Sequence, residues 1–110
     1  MRLPDGYDAK GDLRKLTDYL LSPDHPTGRE KARFFAAIGY TRGDANRLAA
    51  GLLRIAEQEP VVRSLESELG TSYVIDGRIR SATGSLVGLR TVWFVDRAGD
   101  RPRFVTAYPV

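Results

Sequence analysis

The sequence predicts an α+β domain with about three N-terminal helices packed on an antiparallel sheet of three to four strands. Three observations lead there. Apolar residues recur at helical spacing as far as Pro60, and after Gly70 the period changes to two. Turn-forming clusters at 82–85 and 97–100 then divide the later apolar segments. A chain of 110 residues suits one domain with a single core.

The elements follow in order. Residues 1–11 read as a lead-in segment, with Pro4, Asp5-Gly6 and Gly11 as breakers, and residues 12–110 as the domain. Asp12 can cap a first helix, because Leu13, Leu16, Leu20 and Leu21 recur at helical spacing; Ser22-Pro23 ends it. A second helix starts near Thr27-Gly28 and runs to Ile38, with Gly39 as its stop. Thr41 or Gly43-Asp44 opens a third, whose buried stripe is Ala45, Leu48, Ala49, Leu52 and Ala56, and Pro60 closes it. Gly51 within it costs about 1 kcal/mol against alanine, which marks close packing against a neighbour.

Residues 61–70 fit either a strand or a helical turn. Tyr73, Ile75 and Ile79 alternate with Asp76, Arg78 and Arg80, the pattern of a half-buried strand. Residues 86–96 are apolar on both parities, which fits a central strand, and Arg103 to Tyr108 make the last one. Strands in this order form an antiparallel meander.

Composition narrows the function. No cysteine is present, so disulfides, thiolate metal sites and thiolate nucleophiles are out. The single histidine, the lack of an HExxH pattern and 14 scattered acids argue against a metal centre, and no cofactor is expected. There is no apolar signal-peptide core and no run near the roughly 18 residues of a membrane span. A cytoplasmic protein with no membrane partner is therefore expected. The net charge is +3, and 14 of the 17 basic residues are arginine, which favours phosphate or carboxylate contacts and permits RNA as a partner. Gly-x4-Gly-Lys, GxGxxG and GxSxG motifs are missing, and no catalytic carboxylate pair stands out.

Two strings carry a resemblance. Lys15-Leu16-Thr17-Asp18-Tyr19-Leu20-Leu21, Pro23, His25-Pro26, Gly28, Lys31-Ala32, Phe34-Phe35 and Gly39-Tyr40-Thr41 form the first. Gly70, Tyr73, Thr91-Val92-Trp93 and Arg103-Phe104-Val105-Thr106-Ala107-Tyr108-Pro109 form the second. Together they resemble a small bacterial domain family of unknown function over roughly residues 12–109. That family implies a stand-alone or terminal module, sometimes in toxin-like settings, and supplies no residue roles. More loosely, helices followed by an antiparallel sheet are similar to the barnase–EndoU–colicin–RelE group of ribonuclease folds. That likeness implies metal-independent RNA cleavage by assorted His, Arg, Lys, Thr, Ser and Tyr side chains.

Two constellations fit such chemistry. His25, clamped between Pro23 and Pro26, precedes Lys31 and Arg33 at a helix start. Histidine can be the base for a 2′-hydroxyl or the acid for the leaving 5′-oxygen, while the cations hold phosphate. The plainer reading is an interhelical turn followed by solvated charges. The second constellation is Thr106 and Tyr108, two apart and so on one strand face, with Arg90 or Thr91 opposite according to register. Good strand-forming propensity alone would also explain that pair. Trp93 reads as core rather than a stacking platform, and Arg78 with Arg80 as a solvated face. The expected catalytic set is thus His25, Lys31, Thr106 and Tyr108, with Arg33, Arg90 and Thr91 for substrate. The rival expectation is a non-enzymatic module, an immunity protein or antitoxin or a phage or secretion accessory, with the last strand as the edge that pairs with a partner or a second copy. Under the toxin reading, the partner is a cognate antitoxin or immunity protein.

Overall fold

The computed structural model describes residues 19–22, 24–26, 28–98 and 102–110. Helix α1 (Arg29–Ala37) buries Ala32 and Phe35. It ends where Gly39 adopts a φ of +98°, a left-handed conformation that lets Tyr40 N–H reach back to the Phe35 carbonyl at 2.7 Å. A short 3₁₀ turn, Arg42–Asp44, leads into helix α2 (Ala45–Gln58). Thr41 and Asp44 lock that entrance, the Thr41 N–H donating to the carboxylate at 2.9 Å. Helix α2 buries Ala45, Leu48, Leu52, Ile55 and Ala56.

Four strands follow: β1 (Val61–Glu66), β2 (Gly70–Arg80), β3 (Leu86–Asp96) and β4 (Arg103–Pro109). They pair antiparallel in chain order, β1-β2-β3-β4, the expected meander. The ambiguous stretch after Pro60 is an edge strand, because its backbone pairs with β2 from Val61 to Glu66. Strand β2 begins three residues before Tyr73, at Gly70, since that end is hydrogen-bonded to strands on both sides. The five residues 81–85 turn the chain so that Arg80 pairs with Leu86 and Asp76 with Arg90. One irregularity interrupts β3–β4 between Val92 and Trp93.

The helices lie on one face of this sheet. Phe35, Leu48, Leu52 and Ile55 share a single cluster with Ile75, Ile79, Leu89, Trp93, Phe104 and Ala107. Trp93 and Phe104 meet edge to face at 5.3 Å. Two glycines bring α2 close. A Cβ on Gly51 would stand 3.3 Å from the Ile79 side chain, so Gly51 does mark a close approach. A Cβ on Gly77 would overlap Ile55. The described residues hold two α-helices rather than about three. The expected first helix falls mostly on residues 12–18, outside the described residues, as do the lead-in 1–11, Thr27 and the turn residues 99–101. Leu20 and Leu21, the end of its apolar repeat, are buried in the common core.

Candidate functional site

Tyr19 gathers three of the residues singled out in the sequence. Its hydroxyl lies 3.4 Å from the Thr106 hydroxyl on edge strand β4. Its ring meets the His25 ring edge-on, with centroids 5.1 Å apart. The Lys31 ammonium stands 5.6 Å from the same ring centroid. His25 is fixed by the turn it makes: its carbonyl accepts the Arg29 N–H at 3.0 Å, and its Nδ1 accepts the Gly28 N–H at 3.0 Å. A nitrogen that accepts a hydrogen bond carries no proton, so the neutral ring holds its proton on Nε2. The close approach depends on Gly28. A Cβ there would run into the Tyr19 carbonyl oxygen and crowd its ring.

A second group lies along the sheet. Arg90 pairs in register with Asp76 on one side and Tyr108 on the other. It grips the Asp76 carboxylate with two donors, Nε at 2.8 Å and a terminal nitrogen at 2.9 Å. That grip holds Asp76 below the usual carboxylate range. The guanidinium is held firmly protonated, by Asp76 first and by the Tyr108 hydroxyl to a smaller extent. Thr106 and Tyr108 pair with Val92 and Arg90, without a register break between them, and so occupy one face of β4. Thr106 therefore belongs to both groups, touching Tyr19 and preceding Tyr108 by one strand repeat.

The register settles the choice between Arg90 and Thr91. Arg90 stands opposite Tyr108, whereas Thr91 is fully buried on the helix side. Its hydroxyl donates to the Ile75 carbonyl at 2.7 Å and accepts from Trp93 Nε1 at 2.8 Å. Thr91 is a core hydrogen-bond bridge, placed away from the substrate contact expected of it. Trp93 is core as read. Arg80 closes its own hairpin by donating to the Gly84 carbonyl at 2.7 Å, and Arg78 is exposed.

Arg33 parts company with Lys31. At roughly 100° per residue, positions 31 and 33 flank the buried Ala32–Phe35 stripe of α1 from opposite sides. Lys31 faces Tyr19, and Arg33 lines a separate cavity with Arg29 and Arg42. Two residues escaped the sequence reading. Tyr19 sat inside an apolar repeat and read as helix, and the only signal for it was the small residue, Gly28, that its approach requires. Asp76 read as one solvated charge among several.

The family described as a domain of unknown function (DUF6883) matches residues 2–110. The chain belongs to that family. No curated protein matches it. Among solved structures, the DUF6883 domain is similar to a chain in the contact-dependent growth inhibition toxin–immunity protein complex from Klebsiella pneumoniae 342. The two are 17% identical, the match covers 87% of this chain and 95% of that one, and the TM-score is 0.70. At that identity the likeness is one of fold. No helix among the described residues is long and apolar enough to cross a membrane.

Proposed function

We propose that the domain is a metal-independent, toxin-type ribonuclease module whose site runs from His25 and Lys31, through Tyr19 and Thr106, to Tyr108. The observation that carries this reading is the Tyr19 cluster, which brings His25, Lys31 and Thr106 together from the two ends of the described chain. The fold shared with a chain of a toxin–immunity complex supports it.

In this reading the 2′-oxygen of RNA attacks the adjacent phosphorus and the bond to the 5′-oxygen breaks. The 2′-hydroxyl proton passes to His25, a proton from Tyr108 goes to the departing 5′-oxygen, and a 2′,3′-cyclic phosphate remains. Lys31 and the hydroxyls of Tyr19 and Thr106 face the phosphate oxygens as charge builds on them. Arg90, its fork taken by Asp76, acts beside Tyr108, where it offsets the charge left when the phenol gives up its proton. His25 can accept a proton at Nε2 only as the tautomer with a proton on Nδ1, and that tautomer must release the Gly28 N–H. Substrate docking therefore exchanges one turn hydrogen bond for the catalytic one.

The test is incubation of the purified protein with mixed cellular RNA in EDTA. The parent cleaves, and His25→Ala and Tyr108→Phe each lose about 10²–10⁴-fold of the rate while keeping the parent's circular dichroism. Cleavage by folded His25→Ala at the parent's rate removes the assignment.

One observation favours a second reading, a module that binds another protein. Among the described residues no strand pairs with the outer side of β1, and Val62, Leu65 and Leu69 beside it are 54%, 52% and 77% exposed. A cognate immunity protein or antitoxin adding a strand there would suit a toxin, and the same edge would suit an immunity protein. Intact RNA at high protein concentration would leave this reading in place.

A further inference from the structure

The cavity on the other flank of α1 is chemically distinct from the Tyr19 cluster. Its volume is about 460 Å³, within the usual range for small-molecule sites, about 300–1,000 Å³. Arg29, Arg33 and Arg42 line it, and among the described residues no acidic residue does. Arg42 is set in place by donating to the buried Ser22 hydroxyl at 2.8 Å. Among the described residues, neither Arg29 nor Arg33 makes an ion pair. The rest of the lining is largely apolar, with Leu21, Ala32, Ala36 and Tyr40 beside Thr41 and Gly43. Tyr40 is immobile there, because its hydroxyl donates to the Arg80 carbonyl at 2.8 Å and Arg47 covers its ring at 4.6 Å.

Arginines beside apolar lining suit a ligand with an anionic end and a flat, weakly polar body. Inorganic phosphate would use the arginines and leave the apolar lining bare. An apolar ligand would strand the guanidinium groups. We infer that this cavity binds a single nucleotide, its phosphate held by Arg29 and Arg33 and its base lying against Leu21, Ala36 and Tyr40. The assignment rests on the cavity alone. It leans on the ribonuclease reading only for whether the nucleotide is free or part of an RNA chain. The cavity and the Tyr19 cluster lie on either side of one helix, a width of about 10 Å, so a short RNA could reach both.

The experiment is a titration of the full chain with adenosine 5′-monophosphate, followed by amide NMR shifts, beside matched titrations with adenosine, inorganic phosphate and the dinucleotide ApA. Saturable shifts at Ala32, Ala36 and Tyr40 are expected with the monophosphate. Adenosine and phosphate alone bind more weakly, and Arg33→Gln weakens the monophosphate roughly tenfold. Tighter binding of ApA assigns the cavity to a nucleotide within RNA; equal or weaker binding assigns it to a free nucleotide. Either supports the inference. Phosphate binding as well as the monophosphate, shifts that spare these three amides, or an unchanged affinity in Arg33→Gln would overturn it. His25→Ala serves as the separating control: it loses cleavage if the ribonuclease reading holds and binds the monophosphate regardless, so the two ideas fail independently.

Discussion

The Thr91 hydroxyl serves two buried groups at once. It supplies the acceptor for Trp93 Nε1–H and donates to the Ile75 carbonyl, in a place that water does not reach. Threonine to valine keeps the shape and removes both bonds. Thr91→Val should therefore cost about 1–3 kcal/mol, the usual penalty for orphaning a buried donor. At roughly 4–8 °C per kcal/mol for a domain of this size, a thermal melt reads it easily, and Thr91→Ser should recover part of the loss. An unchanged melting temperature would show that the bridge contributes nothing. Nothing in the local sequence marks Thr91 as internal. Alternation puts it on the opposite face from Arg90 but does not say which face is wet. That depends on where Tyr108 lands, and the irregularity at Val92 and Trp93 shifts the partner strand by one residue.

At the scale of elements, the β2–β3 hairpin shows how a turn selects an ion pair. Because 81–85 close the loop, Asp76 falls opposite Arg90 fourteen positions later. The turn signal at Ala82-Thr83-Gly84-Ser85 was legible, but counting outward from those four residues sets Asp76 opposite Thr91; the pair with Arg90 needs the fifth turn residue, Ser81. The helix stripe was legible in the same way, apart from Ile55, which the 3.6 period also allows, and Ala49, which is only partly buried. The first constellation was not legible as a unit, since the contact of Tyr19 with Thr106 links the segment before α1 to the last strand. The ion pair makes a pH prediction. Arg90 lowers the Asp76 pKa on folding, so the pair adds stability above the ordinary carboxylate range and loses it as pH falls through that lowered value. Asp76→Asn should melt lower than the parent at neutral pH, and the two should converge below about pH 4. Melts at a series of pH values test this, and a constant gap across the series would exclude it.

At the scale of the whole molecule, the sheet formed by the described residues has two edges of different character. The β4 edge is engaged by Tyr19, while β1 leaves apolar side chains in water. An open apolar edge invites another strand. The parent should therefore associate as its concentration rises, and Leu65→Lys should suppress this while changing stability by no more than about 0.5 kcal/mol. Light scattering across a dilution series reads both proteins. A parent that stays monomeric throughout would show that the edge is protected. From the sequence, the order of helices and strands was legible because each has its own period. The distribution of charge over the molecule was not: a run of basic residues along α1 divides, through helical geometry alone, between two unrelated surfaces.

The bond between Tyr19 and Thr106 spans 87 residues, whereas every strand pairs with its immediate neighbour in the chain. Local hairpins close quickly and distant ends meet late, because the longer loop costs more entropy to shut. The sheet is thus able to exist before the cluster does, and the cluster is the first thing lost when the leading segment peels away. The molecule behaves like a purse with its clasp at the far ends of the cord. It can carry its full body of strands while the contact between Tyr19 and Thr106 is still open.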